Sequence, residues 1–368
     1  MSRSRESDAG SARAGGRVPR PVAAAALGAF ALVALFVIVS SSHANIGAAL
    51  AALWNGSFGS WYALTSGTLV RATPLIFTGL ATAIAFRAGV FNIGAEGQLL
   101  AGAAVAAWVA IAWGATLGFA APWIAIAAGA IAGALWAGIA AVLRARYQVL
   151  EVISTILLNF IAAYGVGYLV RGPMQEHLHI YPQTETIADG ARLPRLSSGN
   201  RLHAGFALAL VAAVAAWAFL RFTASGFRLR VSGASPSAAR TAGEIDVRRT
   251  TTRAFLTSGA LSGIAGAIEV TGVTYALYEN LSPGYGYTAI AVALLARLDP
   301  LLVVATAILF GALESGASAM QRDAGVPAVV AAIVEASAIL LVLAAGRVRI
   351  GWISGESRGA MLEPTSVQ

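Results

Sequence analysis

Cysteine and lysine are both absent from the 368-residue chain, and only 11% of its residues are charged. Without cysteine the protein can form no disulfide and has no thiolate nucleophile. Without lysine it lacks the phosphate-binding residue of the P-loop, G-x-x-x-x-G-K-[ST], and the amine that Schiff-base and Ser–Lys chemistry require. The composition therefore excludes a conventional P-loop ATPase and several classes of covalent catalysis.

Apolar residues dominate the remainder of the chain. Hydrophobic residues make up 58% of it and its mean hydropathy is +0.73, whereas a soluble domain carries about 25% charged residues. The net charge of +8 could indicate nucleic-acid binding, but the arginines stand between apolar runs, as the positive-inside rule describes. The composition therefore predicts an all-α, polytopic membrane protein that contacts the lipid bilayer and not nucleic acid.

The apolar runs divide the chain into about ten transmembrane segments. A disordered tail (1–20) precedes the membrane domain (21–346), and a short cytoplasmic tail (347–368) follows it. A cleaved signal peptide is the alternative for the first segment, although its apolar run of about 19 residues is longer than usual for such a peptide. The segments are expected at about 21–40, 66–86, 93–113, 119–143, 149–170, 204–220, 255–273, 287–295, 301–318 and 328–345.

The arginines predict the side of the membrane on which each loop lies. Seven of them fall in 221–253, so this loop is expected in the cytoplasm, and the long polar loop 171–203 is expected outside. Ten segments then place both termini in the cytoplasm. Glycine-rich turns precede apolar runs near both 93–113 and 285–316, which is consistent with an internal repeat.

Polar side chains interrupt the apolar sequence most strongly in 86–102, FRAGVFNIGAEGQLLAG. A charged side chain at membrane depth costs about 2.5–3.5 kcal/mol on insertion scales, so it normally faces a cavity or a partner. The glycines allow close backbone approach or a break in a helix. We therefore expect Asn92, Glu96 and Gln98 to line or shape a passage through the membrane.

A second polar stripe follows in the fifth segment. Glu151, Thr155 and Asn159 are spaced i, i+4 and i+8, so they share one helical face. This face points to a passage or to another helix. In the second case its hydrogen bonds would only hold the bundle together, at about 0.6–2 kcal/mol each.

Other polar groups within the segments give weaker signals. Ser258, Ser262 and Glu269 share one face of the seventh segment, and structural pairing is the simplest role for such buried glutamates, including Glu314 and Glu335. The four histidines lie outside the segments, so no intramembrane Ser–His pair is expected. His177 and His179 stand beside Glu176, but two histidines on a loop are more often a solvated surface, and we predict no metal site.

The basic loop 222–250 contains a short helix with a capping signal. Ser235 is a good N-cap, Pro236 a good first helical residue, and Gly243 a suitable end. A capped helix in such a loop suits docking to a partner protein, although a plain basic loop is the alternative. The small side chains expected to fit closely against a partner, outside any packed core, are Ala238, Ala239 and Thr241.

Three blocks of sequence resemble the permease subunits of ABC importers, of the nucleoside and simple-sugar type within the ribose and branched-chain amino acid permease superfamily. The first is 74–80, PLIFTGL, followed by 85–98, AFRAGVFNIGAEGQ. The second is 151–159, EVISTILLN. The third is 282–300, SPGYGYTAIAVALLARLDP, with 310–317, FGALESGA. The resemblance covers about 65–345.

The resemblance implies a permease subunit in the plasma (inner) membrane of a bacterium. It would work by alternating access with a second permease, identical or homologous, an ATPase subunit that binds the ATP, and an extracytoplasmic substrate-binding protein. The chain itself would be no enzyme and would need no cofactor. Its capped helix resembles the coupling helix, although Glu244 interrupts the Gly-Ile pair usual there. An ion-coupled secondary transporter of a small polar solute is the alternative, and a membrane enzyme is disfavoured.

Overall fold

The computed structural model describes residues 45–241 and 245–327, together with 329, 333, 336 and 337. Within these residues every regular element is helical, and only two isolated β-bridges occur. The predicted first and tenth segments and both tails lie outside the described residues, apart from a few positions near the tenth. The described part confirms an all-α fold. The domain boundaries stay a prediction.

Eleven α-helices make up the described part of the chain. Two π-helical stretches extend this set: Ala63–Thr68 leads into α2, and Glu269–Thr274 continues α9. The α-helices are α1 (Ile46–Ser57), α2 (Leu69–Arg87), α3 (Ala95–Leu117), α4 (Ala121–Tyr147), α5 (Glu151–Arg171), α6 (Ala204–Phe222), α7 (Ala224–Ala234), α8 (Pro236–Thr241), α9 (Val247–Ile268), α10 (Tyr285–Leu295) and α11 (Pro300–Asp323).

Six continuous helical stretches of the described chain are long and apolar enough to cross a membrane. One of them, Ala95–Tyr147, contains both α3 and α4, which fold back on each other at Gly118, where φ is +50°. With its 11 residues, α10 is about 16 Å long, too short for a hydrocarbon core of about 30 Å. Each segment predicted between 66 and 318 corresponds to one of these helices, which confirms a polytopic membrane protein.

The helices alternate between two ends of the bundle. We call one the arginine-rich end, formed by 88–94, 148–150, 223–241, 245–246 and 296–299, and the other the loop end, formed by 172–203 and 275–284. At the arginine-rich end Arg87 Nε donates to the carbonyl of Leu298 at 2.8 Å. At the loop end the backbone N–H of Thr184 donates to the carbonyl of Leu277 at 2.8 Å. Which end faces the cytoplasm stays a prediction.

At the centre of the bundle, the backbones of α3, α4 and α9 contact one another directly, without side chains between them. A Cβ atom added to Gly102 would lie 2.4 Å from Gly263, and one added to Gly133 would lie 2.2 Å from the carbonyl oxygen of Gly259. Real Cβ atoms do not approach so closely, so only glycine fits at these crossings. This contact fixes α3 against two neighbouring helices and gives the functional region a rigid support.

Candidate functional site

The helical path from α2 to α3 is broken inside the bundle. After Arg87 the chain turns at Gly89, where φ is +73°, runs without helical structure through 90–93, and resumes as α3. The N–H of Gly97 in the first turn of α3 bonds to Asn159, eight residues into α5. The N–H of Ile93, just before α3, bonds to Thr155, four residues into α5. At 1.5 Å per residue, the beginning of α3 therefore lies about 6–12 Å beyond the start of α5.

Asn92 and Gln98 form a closed amide pair at this break. Asn92 Nδ2 donates to Gln98 Oε1 at 3.1 Å, and Gln98 Nε2 donates back to Asn92 Oδ1 at 3.0 Å. Asn92 also donates to the hydroxyl of Ser258 on α9 at 2.9 Å and accepts the N–H of Gly94 at 2.9 Å. Both amides are almost fully buried, and these bonds offset the cost of burying them.

The polar stripe of α5 binds the backbone of the same break. Asn159 accepts the N–H of Gly97 and donates to the carbonyl of Ile93, each at 2.9 Å. Thr155 accepts the N–H of Ile93 at 3.4 Å. Asn159 also donates to the hydroxyl of Tyr287 on α10 at 3.3 Å. The stripe thus connects α5 to α3 and α10.

Glu96 joins the beginnings of two helices. Its Oε2 accepts the N–H of Gly286 at 2.7 Å, and the hydroxyl of Ser282 lies near its carboxylate. A Cβ on Gly286 would lie 2.2 Å from the backbone nitrogen of Glu96, so the two N-termini are in direct contact. A carboxylate is well placed there, because free N–H groups at helix N-termini carry partial positive charge. Among the described residues the N-termini of α3 and of the short helix α10 therefore meet at Glu96.

A second break in the helical path precedes α10, and a serine and a glycine determine its shape. The chain leaves the π-helical end of α9, passes the loop end, and returns into the bundle at Ser282. The hydroxyl of Ser282 accepts the N–H of Gly284 at 3.2 Å and of Tyr285 at 3.1 Å, and Gly284 has φ of +101°. Tyr287, which is 45% exposed, follows in the first turn of α10. The prediction of site residues did not include Ser282, Gly286 or Tyr287, although the motif Ser-Pro-Gly-x-Gly before an apolar run carries that signal.

Glu151 stands apart from the amide pair. It lies in the first turn of α5, at the arginine-rich end, where its carboxylate is 3.5 Å from Arg144 Nη1. Its backbone carbonyl accepts the hydroxyl of Thr155 at 2.7 Å, which is its one link to the network above. The structure therefore brings Asn92, Gln98, Thr155 and Asn159 into one network and joins Glu96 to α10. That these residues line a passage stays a prediction.

The capped helix of the basic loop is α8. Ser235 Oγ accepts the N–H of Ala238 at 3.3 Å, as its N-cap role requires. Ala238 and Thr241 are exposed, but Ala239 is fully buried. The expectation that all three small residues lie outside a packed core is thus wrong for Ala239, because a helix of six residues that packs on α7 and α9 must bury one side. Gly243 lies outside the described residues.

A glycine contact links this basic loop to the first helix break. Gly233 belongs to α7, and a Cβ added there would lie 2.0 Å from the carbonyl oxygen of Arg87. From the other side, a Cβ on Gly89 would lie 3.2 Å from Cα of Gly233. The backbone of α7 therefore rests directly on the turn that precedes the Asn92 network.

Polar side chains at and near the loop end are partly solvent-exposed and partly buried. His177 Nδ1 lies 2.6 Å from Glu185 in the solvent-exposed loop, and bonds from the backbone N–H and ring of His177 hold the pKa of Glu185 below its usual value. No group of three metal-binding side chains occurs in the described residues. Glu269 is buried in the π-helical end of α9, and Glu335 is not described.

Two helices whose N-termini meet inside a helical membrane bundle, with the basic-loop helix α7 resting on one of the breaks, are typical of a membrane transport protein. The sequence relationship is more specific. The chain belongs to the family of the permease component of the branched-chain amino acid transport system, which matches residues 64–344. The predicted superfamily is thereby confirmed.

Three characterised relatives are similar over most of the chain. The guanosine ABC transporter permease protein NupP of Bacillus subtilis is 38% identical over 346 residues, which are 92% of this chain and 97% of that protein. The glucose ABC transporter permease protein TsgB13 of Haloferax volcanii is 38% identical over 353 residues, covering 92% and 90%. The nucleoside ABC transporter permease protein NupB of Lactococcus lactis is 30% identical over 284 residues, covering 75% and 78%. No solved structure matches the chain.

These findings settle the class of the protein and its place in the cell. Its relatives are permease proteins of ABC transporters, and its described part contains six apolar stretches of membrane-spanning length. The predictions of an ABC transporter permease and of a multi-pass protein of the bacterial plasma (inner) membrane are confirmed.

Proposed function

We propose that this chain forms the translocation pathway of an ABC importer for nucleosides or simple sugars. The named activities of the relatives, guanosine, nucleoside and glucose transport, support this substrate class. The structural observation that carries the proposal is the meeting of α3 and α10 at Glu96, which places hydrogen-bonding groups about 6–12 Å inside an otherwise apolar bundle. A neutral polyhydroxylated solute needs such groups when it leaves water.

In this proposal the polar residues have two tasks. The amides of Asn92, Gln98 and Asn159 shape the passage by holding the break, because their bonds are made to neighbouring protein groups. Tyr287 has a partly exposed ring and a hydroxyl bonded to Asn159, so it is the side chain of this region best placed to meet a solute. Glu151 and Thr155 continue the passage toward the arginine-rich end.

The proposed complex contains four kinds of component. The arginine-rich end faces the cytoplasm, where an ATPase subunit binds ATP and receives α8 in a groove. The loop end faces an extracytoplasmic substrate-binding protein, and a second permease, identical or homologous, completes the pathway. The chain itself needs no cofactor and catalyses no reaction.

Alternating access follows from the contacts of α8. Closure of the ATPases on ATP would displace α8 and with it α7. Because Gly233 of α7 rests on Gly89 and Arg87, the displacement reaches the break before α3. From there it passes through Glu96 to α10. Movement of α10 relative to α3 would then open the passage to one side at a time.

Uptake into energised cells distinguishes this mechanism from ion-coupled transport. If ATP hydrolysis drives the importer, we expect uptake to stop when ATP is depleted while the ion gradient is held constant. A tryptophan at the exposed Ala238 should abolish both co-purification of the ATPase and uptake, since bulk on this face of α8 obstructs docking. The matched control is Ala120→Trp, at an exposed position in the α3–α4 turn of the opposite end. Uptake that survives ATP depletion, or ATPase association that survives Ala238→Trp, would contradict the proposal.

A further inference from the structure

A cleft of about 460 Å³ opens at the arginine-rich end, between the α4–α5 turn and the loop that contains α7 and α8. Its volume lies within the range of about 300–1,000 Å³ that is typical of small-molecule sites. Its lining combines the backbone of the first helix break with side chains from α4, α5, α7, α8 and α9. Those that the argument uses are Arg144, Glu151, Ser232, Arg240, Arg248 and Phe255.

The charge of the cleft is strongly positive. Arg144, Arg240 and Arg248 contribute three guanidinium groups, and Glu151 is its one carboxylate among the described residues. The carboxylate lies near Arg144 at 3.5 Å. Neither Arg240 nor Arg248 has an ion-pair partner in the described part of the chain. Two guanidinium groups are therefore available to an anion, and the planar fork of each suits a phosphate oxygen pair.

A buried hydroxyl without a partner marks the inner wall. Ser232 is 1% exposed, and its Oγ has no hydrogen-bond partner among the described residues. Arg144 Nη1 makes no hydrogen bond there, but it lies 3.5 Å from the carboxylate of Glu151. Buried polar atoms are satisfied in most proteins, so Ser232 is a candidate to bond to a ligand; because its Oγ is covered, that bond requires a small movement of the cleft wall. The positive-inside rule explains basic residues in this loop, but it does not explain a buried serine that shares their cleft.

We propose that this cleft is a regulatory site for a phosphorylated small molecule, namely the phosphate ester of a nucleoside or simple sugar. The arginines would bind the phosphoryl group, Ser232 and Glu151 would bond to ligand hydroxyls, and Phe255 and Pro236 would cover its apolar parts. The phosphate part of the proposal stands on the cleft alone, whereas the nucleoside or sugar part rests on the proposed function. A ligand held between the α4–α5 turn and α8 would restrain α8 and so inhibit transport when phosphorylated product accumulates inside.

Binding is measured first, on the full chain in nanodiscs of neutral phosphatidylcholine. The probes are guanosine monophosphate, guanosine and inorganic phosphate. We expect the monophosphate to bind at least about tenfold more tightly than guanosine, because guanidinium–phosphate bonds are charge-assisted. Arg248→Gln and Ser232→Ala should each weaken its binding, whereas the matched control Arg228→Gln, an exposed arginine of α7 outside the cleft, should not.

Three results would overturn the site. The first is equal affinity for guanosine and its monophosphate. The second is an equal loss of affinity in Arg228→Gln, which would show a diffuse basic surface. The third is displacement of the monophosphate by phosphatidylglycerol built into the nanodisc, which would identify a lipid headgroup as the occupant. Binding of inorganic phosphate as tight as that of the monophosphate would remove the ester part of the proposal.

Transport is measured separately in proteoliposomes of the complete complex. The monophosphate is supplied on the arginine-rich side, and we expect it to reduce uptake in the wild type and to have a weaker effect in Arg248→Gln, whose basal uptake is retained. Binding without inhibition would refute the regulatory role. Absence of any ATP-driven nucleoside or sugar uptake would refute the proposed function, while the phosphate site would still stand on its binding data.

Discussion

Replacement of Glu96 by alanine removes the acceptor that holds the start of α10 against the start of α3. In the folded protein Glu96 Oε2 accepts the N–H of Gly286 at 2.7 Å, and the side chain is only 7% exposed. Hydrogen bonds to charged groups contribute about 1.5–3 kcal/mol, and interhelical bonds in membranes average about 0.6 with a maximum near 1.7. We therefore expect Glu96→Ala to lower the free energy of unfolding by about 1–3 kcal/mol and to impair uptake.

Substitution of Glu96 by glutamine distinguishes a structural role of Glu96 from a role of its carboxylate in transport. Glu96→Gln keeps the length of the side chain and one acceptor oxygen, so the bond to Gly286 can form and the loss of stability should stay below about 1 kcal/mol. If the carboxylate also acts in the passage, uptake by this variant falls although stability is retained, and that is the outcome we expect.

Unfolding in mild detergent and uptake into proteoliposomes, measured on the same preparations, test this reasoning. An alanine variant with wild-type stability would show that the bond to Gly286 does not hold α10. A glutamine variant with wild-type uptake would show that the charge has no part in transport. An alanine variant that matches the wild type in both measurements would refute the role of Glu96 in either task.

Three further predictions address the topology, the core and the loop end. Reporter fusions at Arg228 should score cytoplasmic and at Glu185 extracytoplasmic, and the reverse result would invert the proposed orientation. Gly133→Ala should destabilise the bundle by about 1–3 kcal/mol because its Cβ would lie 2.2 Å from a backbone oxygen, whereas Gly165→Ala, with no atom within 4 Å, should not. Burial, and to a lesser extent Arg201, lowers the pKa of His203 from 6.5 to about 4. The unfolded chain then binds the proton first, so stability should fall as the pH drops from 6.5 toward 4. His203→Asn, which keeps an N-cap acceptor, should remove that dependence.

Hydropathy was sufficient to predict the helices of the described membrane region, because burial in lipid demands long apolar runs. It also singled out the polar stretch 86–102 and the stripe of α5. The partners of these residues could not be predicted, because they come from distant parts of the chain. Asn159 bonds to Gly97 and Tyr287, which are 62 and 128 residues away, and periodicity within one helix indicates a polar face but not what that face contacts.

The error at Ala239 has a similar cause. The serine cap and the proline predict where α8 begins, because both act through local backbone geometry. They do not specify which side of the helix packs on α7 and α9. Only the fold shows that Ala239 is buried while Ala238 is exposed. The half-helix α10 was predicted as a short segment for the same local reason, but its contact with Glu96 depends on the path of the chain through 275–284.

The contacts around the first break favour α10 as the element that moves. Gly102 holds α3 against α9 by backbone contact, so α3 cannot shift without disturbing a glycine-packed core. By contrast, α10 is only 11 residues long, and the contacts that the first break makes with its start are the bond from Gly286 to Glu96, the backbone contact at Gly286 and the bond from Asn159 to Tyr287. Only the four residues 90–93 separate Gly89 from the turn that begins α3, and they span at most about 14 Å. Since Glu96 precedes Gly102 along α3, we expect a displacement of α7 at Gly89 to reach the Glu96 bond before the glycine-packed core, and α10 is the helix that this bond restrains.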